Sequence, residues 1–121
     1  TSLKELEKEI KKCDLIYDSL IGYNLKGEPY GKFKDVISIL NSSGKKVIAC
    51  DTPSGVDTDK GVICSTYVRA SHILFLSLPK LGCRKLNAKK YVADIGVPKA
   101  LYPMIKVKAK DYFEKKSILK L

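Results

Sequence analysis

The sequence holds one histidine, His72, only two arginines, Arg69 and Arg84, and four cysteines with no C-x-x-C pair among them. Zinc needs clustered Cys and His ligands, so this pattern argues against a zinc site. No apolar run approaches the ~20 residues of a membrane span, and no signal-peptide pattern opens the chain. Neither G-x-G-x-x-G nor a P-loop occurs, although Gly22, Gly27 and Gly31 punctuate one loop. There is no Ser-His-Asp set, internal repeat or low-complexity stretch. "DTDKG" (57–61) departs from a calcium loop, because Gly falls at the fifth position and Val68 stands where the bidentate Glu belongs.

What is present is basic charge. Lys plus Arg number 23 against 13 Asp plus Glu, a formal charge of +10. Nucleic-acid binding is the sharp reading of that number. It is weakened because the lysines scatter from Lys4 to Lys120, and recognition usually wants Arg and aromatics on one face. Such a surface also attracts an anionic nucleotide. Widely spaced cysteines, with no secretory signal, favour a reducing cytoplasm.

The 121 residues suffice for one modest core, 45% apolar and 30% charged. Ser2-Leu-Lys-Glu5 is a capping box, and Leu3, Leu6 and Ile10 follow at helical spacing, so 3–12 reads as a helix. "CDLIYDSLIG" (13–22) is a buried strand. Phe33, Val36, Ile37 and Leu40, stopped by Gly44, mark a helix over about 32–43. "KVIAC" (46–50), "HILFLS" (72–77) and "YVADIG" (91–96) are further strands. Residues 98–105 read as a turn or short helix, and 110–119 as a helix or tail. Short apolar runs alternating with helices or long loops indicate a parallel sheet covered on both faces. The expected class is α/β, a Rossmann-like three-layer sandwich with a mostly parallel sheet.

Ligands in such sheets bind beyond the carboxyl ends of the strands. The first strand ends at Asp18 and the second at Asp51, followed by "TPSG". Neighbouring strands run ~4.8 Å apart. Two carboxylates leaving them together would raise a pKa or recruit a cation, with Ser54 and nearby carbonyls as further hard oxygen ligands. The bland readings are a turn starter at Asp51 and a helix cap at Asp18. His72, opening a strand, reads as a satisfied edge histidine. Lys80 in "LPKLG" (78–82) lies at a carboxyl end, where it meets a phosphate or acidic group, or only solvent.

"DLIYDSLIGYNLKGEPYG", "VIACDTPSGVDTDKG", "LPKLG" and "VADIGVP", in this order and spacing, resemble the NAD(P)H-hydrate epimerases, the YjeF N-terminal domain. The match runs over about residues 13–98. The resemblance implies a metabolite-repair isomerase that interconverts the R and S epimers of hydrated NADH and NADPH. A dehydratase acting on the S form, in many microbes fused to the epimerase domain, then restores the cofactor. It further implies a potassium ion on Asp18 and Ser54. A substrate loop runs through Gly22, Tyr23, Asn24, Leu25, Lys26, Gly27 and Glu28, and Asp51 is the substrate-contacting, catalytic carboxylate.

Two departures stand out. Tyr23 and Asn24 replace the loop's usual Thr and second Gly. The family's Asn-Asn-Gly-Gly-Asp-Gly loop, which belongs to an N-terminal portion, has no counterpart here. The implied chain is therefore a fragment, or folds against a complementary piece: 1–105 as the C-terminal portion of the domain and 106–121 as tail or connector. Alone it should have little activity, and when complete it should be a homodimer. The rival is an inactive nucleotide- or protein-binding module of the same fold.

Overall fold

The computed structural model describes residues 2–22, 25, 27–58, 64–106, 113 and 116–121. Helix α1 (Leu3–Lys12) begins where the sequence places it. Ser2 Oγ accepts from Glu5 N at 3.2 Å while Ser2 N donates to Glu5 Oε2 at 2.7 Å, the reciprocal pair of a capping box. Strand β1 (Leu15–Asp18) is shorter than its apolar run. It stops because Asp18 Oδ1 takes the N–H of Leu20, two residues on, at 3.2 Å and turns the chain. Helix α2 (Gly31–Ser42) leads to β2 (Lys46–Cys50), then β3 (His72–Leu76), a 3₁₀ turn at Leu81–Cys83 and β4 (Lys89–Ala93).

Strands β1 to β4 are parallel and lie side by side in chain order. Strand β4 runs two residues earlier than "YVADIG" suggested, because Lys89 and Lys90 are part of it. Lys90 extends from the strand start to the carbonyls of Leu86 and Ala88, at 2.6 and 3.3 Å. After α3 (Leu101–Met104) the chain returns as β5 (Ile118–Lys120), antiparallel to β4. The sequence reading of helix or tail over 110–119 is thus corrected at its end, where 118–120 extend the sheet. Residues 107–112, 114 and 115 lie outside the described residues.

The register puts Ile16, Asp18, Val47, Ala49, Ile73, Phe75, Val92 and Leu119 on one face of the sheet. That face is covered. Leu6 and Ile10 of α1 and Ile37 and Leu40 of α2 pack with Ile16 and Val47, while Val56, Cys83 and Leu86 pack with Ala49, Ile73, Phe75 and Val92. The opposite face carries Leu15, Tyr17, Ile48, Cys50, Leu74, Leu76 and Tyr91, all half-buried or exposed, with Ala93 at its end buried; Tyr17 is 54% exposed. The sequence reading of cover on both faces is therefore met on one face only by the described residues. His72, expected at an edge, opens the central strand. It sits on the open face, stacked on Tyr91 at 6.1 Å with Nδ1 2.9 Å from Ser71 Oγ.

The two faces should respond differently to truncation. Phe75→Ala should cost about 3–5 kcal/mol in urea unfolding. Tyr17→Ser should cost no more than about 0.5 kcal/mol. Equal costs would mean that the second face is buried.

Candidate functional site

The C-terminal rim of the sheet is assembled by two aspartates with different partners. Asp18 leaves β1 onto the covered face and is 2% exposed. Its Oδ2 accepts from Ser54 N at 2.8 Å and its Oδ1 from Ser54 Oγ at 2.7 Å. Ser54 is fully buried, and its hydroxyl also accepts from Ile21 N at 2.8 Å, with Ile21 O at 3.4 Å. A buried carboxylate is costly unless hydrogen-bonded, and Asp18 takes three bonds, two from Ser54 and one from Leu20. The loop after β1 and the loop after β2 are thereby fastened together.

Gly55 allows that closeness. It has φ +94°, and a Cβ there would collide with the Thr66 carbonyl oxygen. The chain of 64–71 lies so close that Val68 N donates to Ser54 O at 2.8 Å.

Asp51 is built otherwise. Its N–H continues the ladder to Leu74 O at 2.8 Å, and Thr52 N then donates to Cys50 O at 2.7 Å. With φ +64° at Asp51 this is a γ-turn of the rare, strained hand. Strand β3 ends the same way: Leu78 N donates to Leu76 O at 2.8 Å around Ser77, whose φ is +66°. Neighbouring strands thus end in matching turns centred on non-glycine residues. Asp51 Oδ1 accepts from Leu76 N at 2.9 Å and pairs with Lys80 Nζ at 2.6 Å. Cys83 lies below this rim; burial, reinforced by the negative charge of Asp51, pushes its thiol up to about 11, against the pull of Lys90 and Lys80.

The two carboxylates share the rim, as the strand ends implied, but they are not bonded as one pair. Asp18 turns to Ser54, and Asp51 turns to β3 and Lys80. Of the three partners the sequence allowed Lys80, a phosphate, an acidic group or solvent, the structure gives it an acidic group, Asp51. The Leu76 backbone and the γ-turn at Ser77 were not visible in the sequence, since residue type does not announce a positive φ outside glycine, and Asn or Asp at most permit it.

The expected substrate loop is tied down at its far end. Glu28, although exposed, accepts from Ser65 N at 2.7 Å, Ser65 Oγ at 3.1 Å and Thr66 N at 3.2 Å. Cys64 Sγ reaches Gly27 O at 3.4 Å. Gly27 has φ +77°, Gly22 is exposed and Leu25 half-buried, whereas Tyr23, Asn24 and Lys26 lie outside the described residues. Glu28 thus acts within the protein as a clamp between 28 and 65–66.

The donor set at Asp18 suits a hard cation. It offers a carboxylate, a hydroxyl and the Ile21 carbonyl, all oxygens. Among the described residues no group of three His, Cys, Asp or Glu side chains could hold a metal. No helix among them is long and apolar enough to cross a membrane.

The family model described as YjeF-related protein N-terminus matches residues 1–82. The chain belongs to that family. It is 39% identical over 95 residues to the NAD(P)H-hydrate epimerase of Dehalogenimonas lykanthroporepellens, covering 78% of this chain and 39% of that protein. It is 35% identical over 96 residues to the bifunctional NAD(P)H-hydrate repair enzyme Nnr of Dictyoglomus turgidum, covering 79% of this chain and 19% of that one. The crystal structure of yeast ynu0 superposes with a TM-score of 0.79 at 23% identity, over 96% of this chain and 51% of its own, and so shares the fold. The chain therefore spans well under half the length of the curated relatives it matches.

The Glu28 clamp sets an acid limit. The Ser65 N–H, the largest influence, acts with the Thr66 N–H, the Ser65 hydroxyl and the charge of Lys34 to overcome desolvation, the second largest, and holds its carboxyl below the usual glutamate value. A depressed carboxyl contributes stability above its unfolded value, and that contribution disappears as pH falls through the folded value. The amide shifts of Ser65 and Thr66 should titrate together below the ordinary glutamate value of ~4.3, and Glu28→Gln should abolish the step. A midpoint at or above that value would refute the clamp.

Proposed function

We propose that this chain forms the C-terminal portion of an NAD(P)H-hydrate epimerase domain, an isomerase of nicotinamide nucleotide repair. What supports the reading most is Asp51, presented at the rim by a strained turn, in a chain 39% identical to a protein named as that epimerase. The substrate is the hydrated nicotinamide nucleotide, NADHX or NADPHX. The bifunctional relative supports a dehydratase partner, either fused or separate. A homodimer and a cytoplasmic location belong to the same proposal.

The chemistry follows from what epimerisation demands. The hydrated ring carbon must lose its hydroxyl as water, leaving a cation conjugated with the ring nitrogen, and regain water on the other face. A carboxyl group that protonates the leaving hydroxyl, and then takes a proton from the returning water, serves both directions. Its negative charge also stabilises the cation between the two steps. Asp51 is assigned that work. The loop Gly22 to Glu28, with Tyr23, Asn24, Leu25, Lys26 and Gly27 between, is assigned to the nucleotide, and Glu28 holds its exit in place.

Asp18 and Ser54 are assigned to a potassium ion, whose charge would attract the pyrophosphate of the substrate. Their buried, all-oxygen constellation suits such an ion and no softer one.

Asp51→Asn in the gene product should lower R-to-S conversion of hydrated NADPH by about 10²–10⁴-fold, the usual worth of a positioned acid–base group. The fold should be retained. Unchanged turnover would remove Asp51 from the mechanism.

A further inference from the structure

The rim holds a charged group to which the reaction above assigns no part. Lys80 Nζ lies 2.6 Å from Asp51 Oδ1 and 3.0 Å from Leu76 O, and both side chains are 25% exposed. A lysine in a Pro-Gly loop is ordinarily solvated and mobile, and a surface ion pair of that kind is worth little. Here the ammonium is held between a carboxylate and a backbone carbonyl. The same residue, Leu76, supplies its N–H to the same carboxylate oxygen at 2.9 Å. Leu76, Lys80 and Asp51 form a closed three-membered contact.

The base from which Lys80 extends is also fixed. Lys80 precedes the 3₁₀ turn Leu81–Cys83. Within that turn Gly82 is buried against the loop that follows Ser54. Its N–H donates to Thr58 O at 3.4 Å, and an added Cβ would strike the Asp57 carbonyl oxygen. Cys83, next in the turn, is fully buried in the core beneath. The ammonium therefore approaches from an anchored backbone.

Both contacts fall on one oxygen of Asp51. Oδ1 takes the Leu76 N–H and the Lys80 ammonium, while among the described residues none bonds to Oδ2. One donor on a carboxylate leaves it free to swing about that bond; a second donor on the same oxygen stops the swing. The backbone beneath is already constrained at φ +64°.

We propose that Lys80 is the positioning residue for Asp51: with the Leu76 N–H it fixes Oδ1, so that Oδ2 is the oxygen turned to a bound ligand. The consequence for rate rests on the epimerase reading. The pinning itself does not, and the test separates the two.

Lys80→Met removes the ammonium and keeps the stem, and Lys80→Arg restores a charged donor. In the parent, the Asp51 Hα–Hβ couplings should report one rotamer. In Lys80→Met they should average, and in Lys80→Arg they should return toward the parent. For epimerisation by the gene product, Lys80→Met should lower kcat about 100-fold, the effect of a small misplacement, with KM moving less than about threefold, and Lys80→Arg should recover part of the loss. A merely structural lysine would leave the couplings unchanged, and that result overturns the proposal. Averaged couplings with an unchanged kcat overturn the positioning role as well. If the parent gene product has no epimerase activity, the epimerase reading has failed, and the couplings alone decide whether Lys80 pins Asp51.

Discussion

A single buried interaction organises the rim: the carboxylate of Asp18 grips both the N–H and the hydroxyl of Ser54. Each half depends on the other. The carboxylate could not remain at 2% exposure without donors, and the Ser54 backbone could not turn inward without an acceptor. Because Ser54 Oγ also meets the N–H of Ile21, the grip ties together the loop after β1 and the loop after β2. The close approach of Thr66 to Gly55, and of Asp57 to Gly82, carries the fastening on to the segments behind.

From that fixed point the second aspartate is placed by strand geometry. Asp51 and Ser77 each close a strained turn at the end of adjacent strands, and each sends its side chain to a neighbouring element. Ser77 Oγ lies 2.8 Å from the hydroxyl of Tyr102, which brings α3 to the same rim. Positive φ at non-glycine residues costs of order 1–3 kcal/mol each and persists where the surroundings overdetermine it. Here the overdetermination is visible: ladder bonds to Leu74 O and Ala93 O hold the two turns, and the Lys80–Leu76 contact holds the carboxylate.

Much of this was legible beforehand. The capping box fixed the start of α1, and the apolar runs fixed β2 and β3 to within a residue. The carboxyl-end rule put Asp18, Asp51 and Lys80 at one rim. The resemblance named the family that the chain belongs to. What could not be read has physical causes. Strand β5 is three residues long with two of them exposed, too short for a period-two signal. Lys89 and Lys90 hide the start of β4, because charge at a strand end looks like loop. The sharing of partners between the two aspartates depends on side-chain direction, which spacing does not carry. The open sheet face is invisible for a similar reason: Tyr17 and Leu74 look like core residues in any apolar run.

The dependence of the rim on the Asp18–Ser54 grip is measured most directly by a double-mutant cycle. Asp18→Asn, which can accept at only one of its two positions, is combined with Ser54→Ala, and urea unfolding is followed for all four proteins. The account predicts a coupling of about 1.5–3 kcal/mol, as for a hydrogen bond to a charged group. Additive losses, with a coupling within about 0.3 kcal/mol of zero, would contradict it.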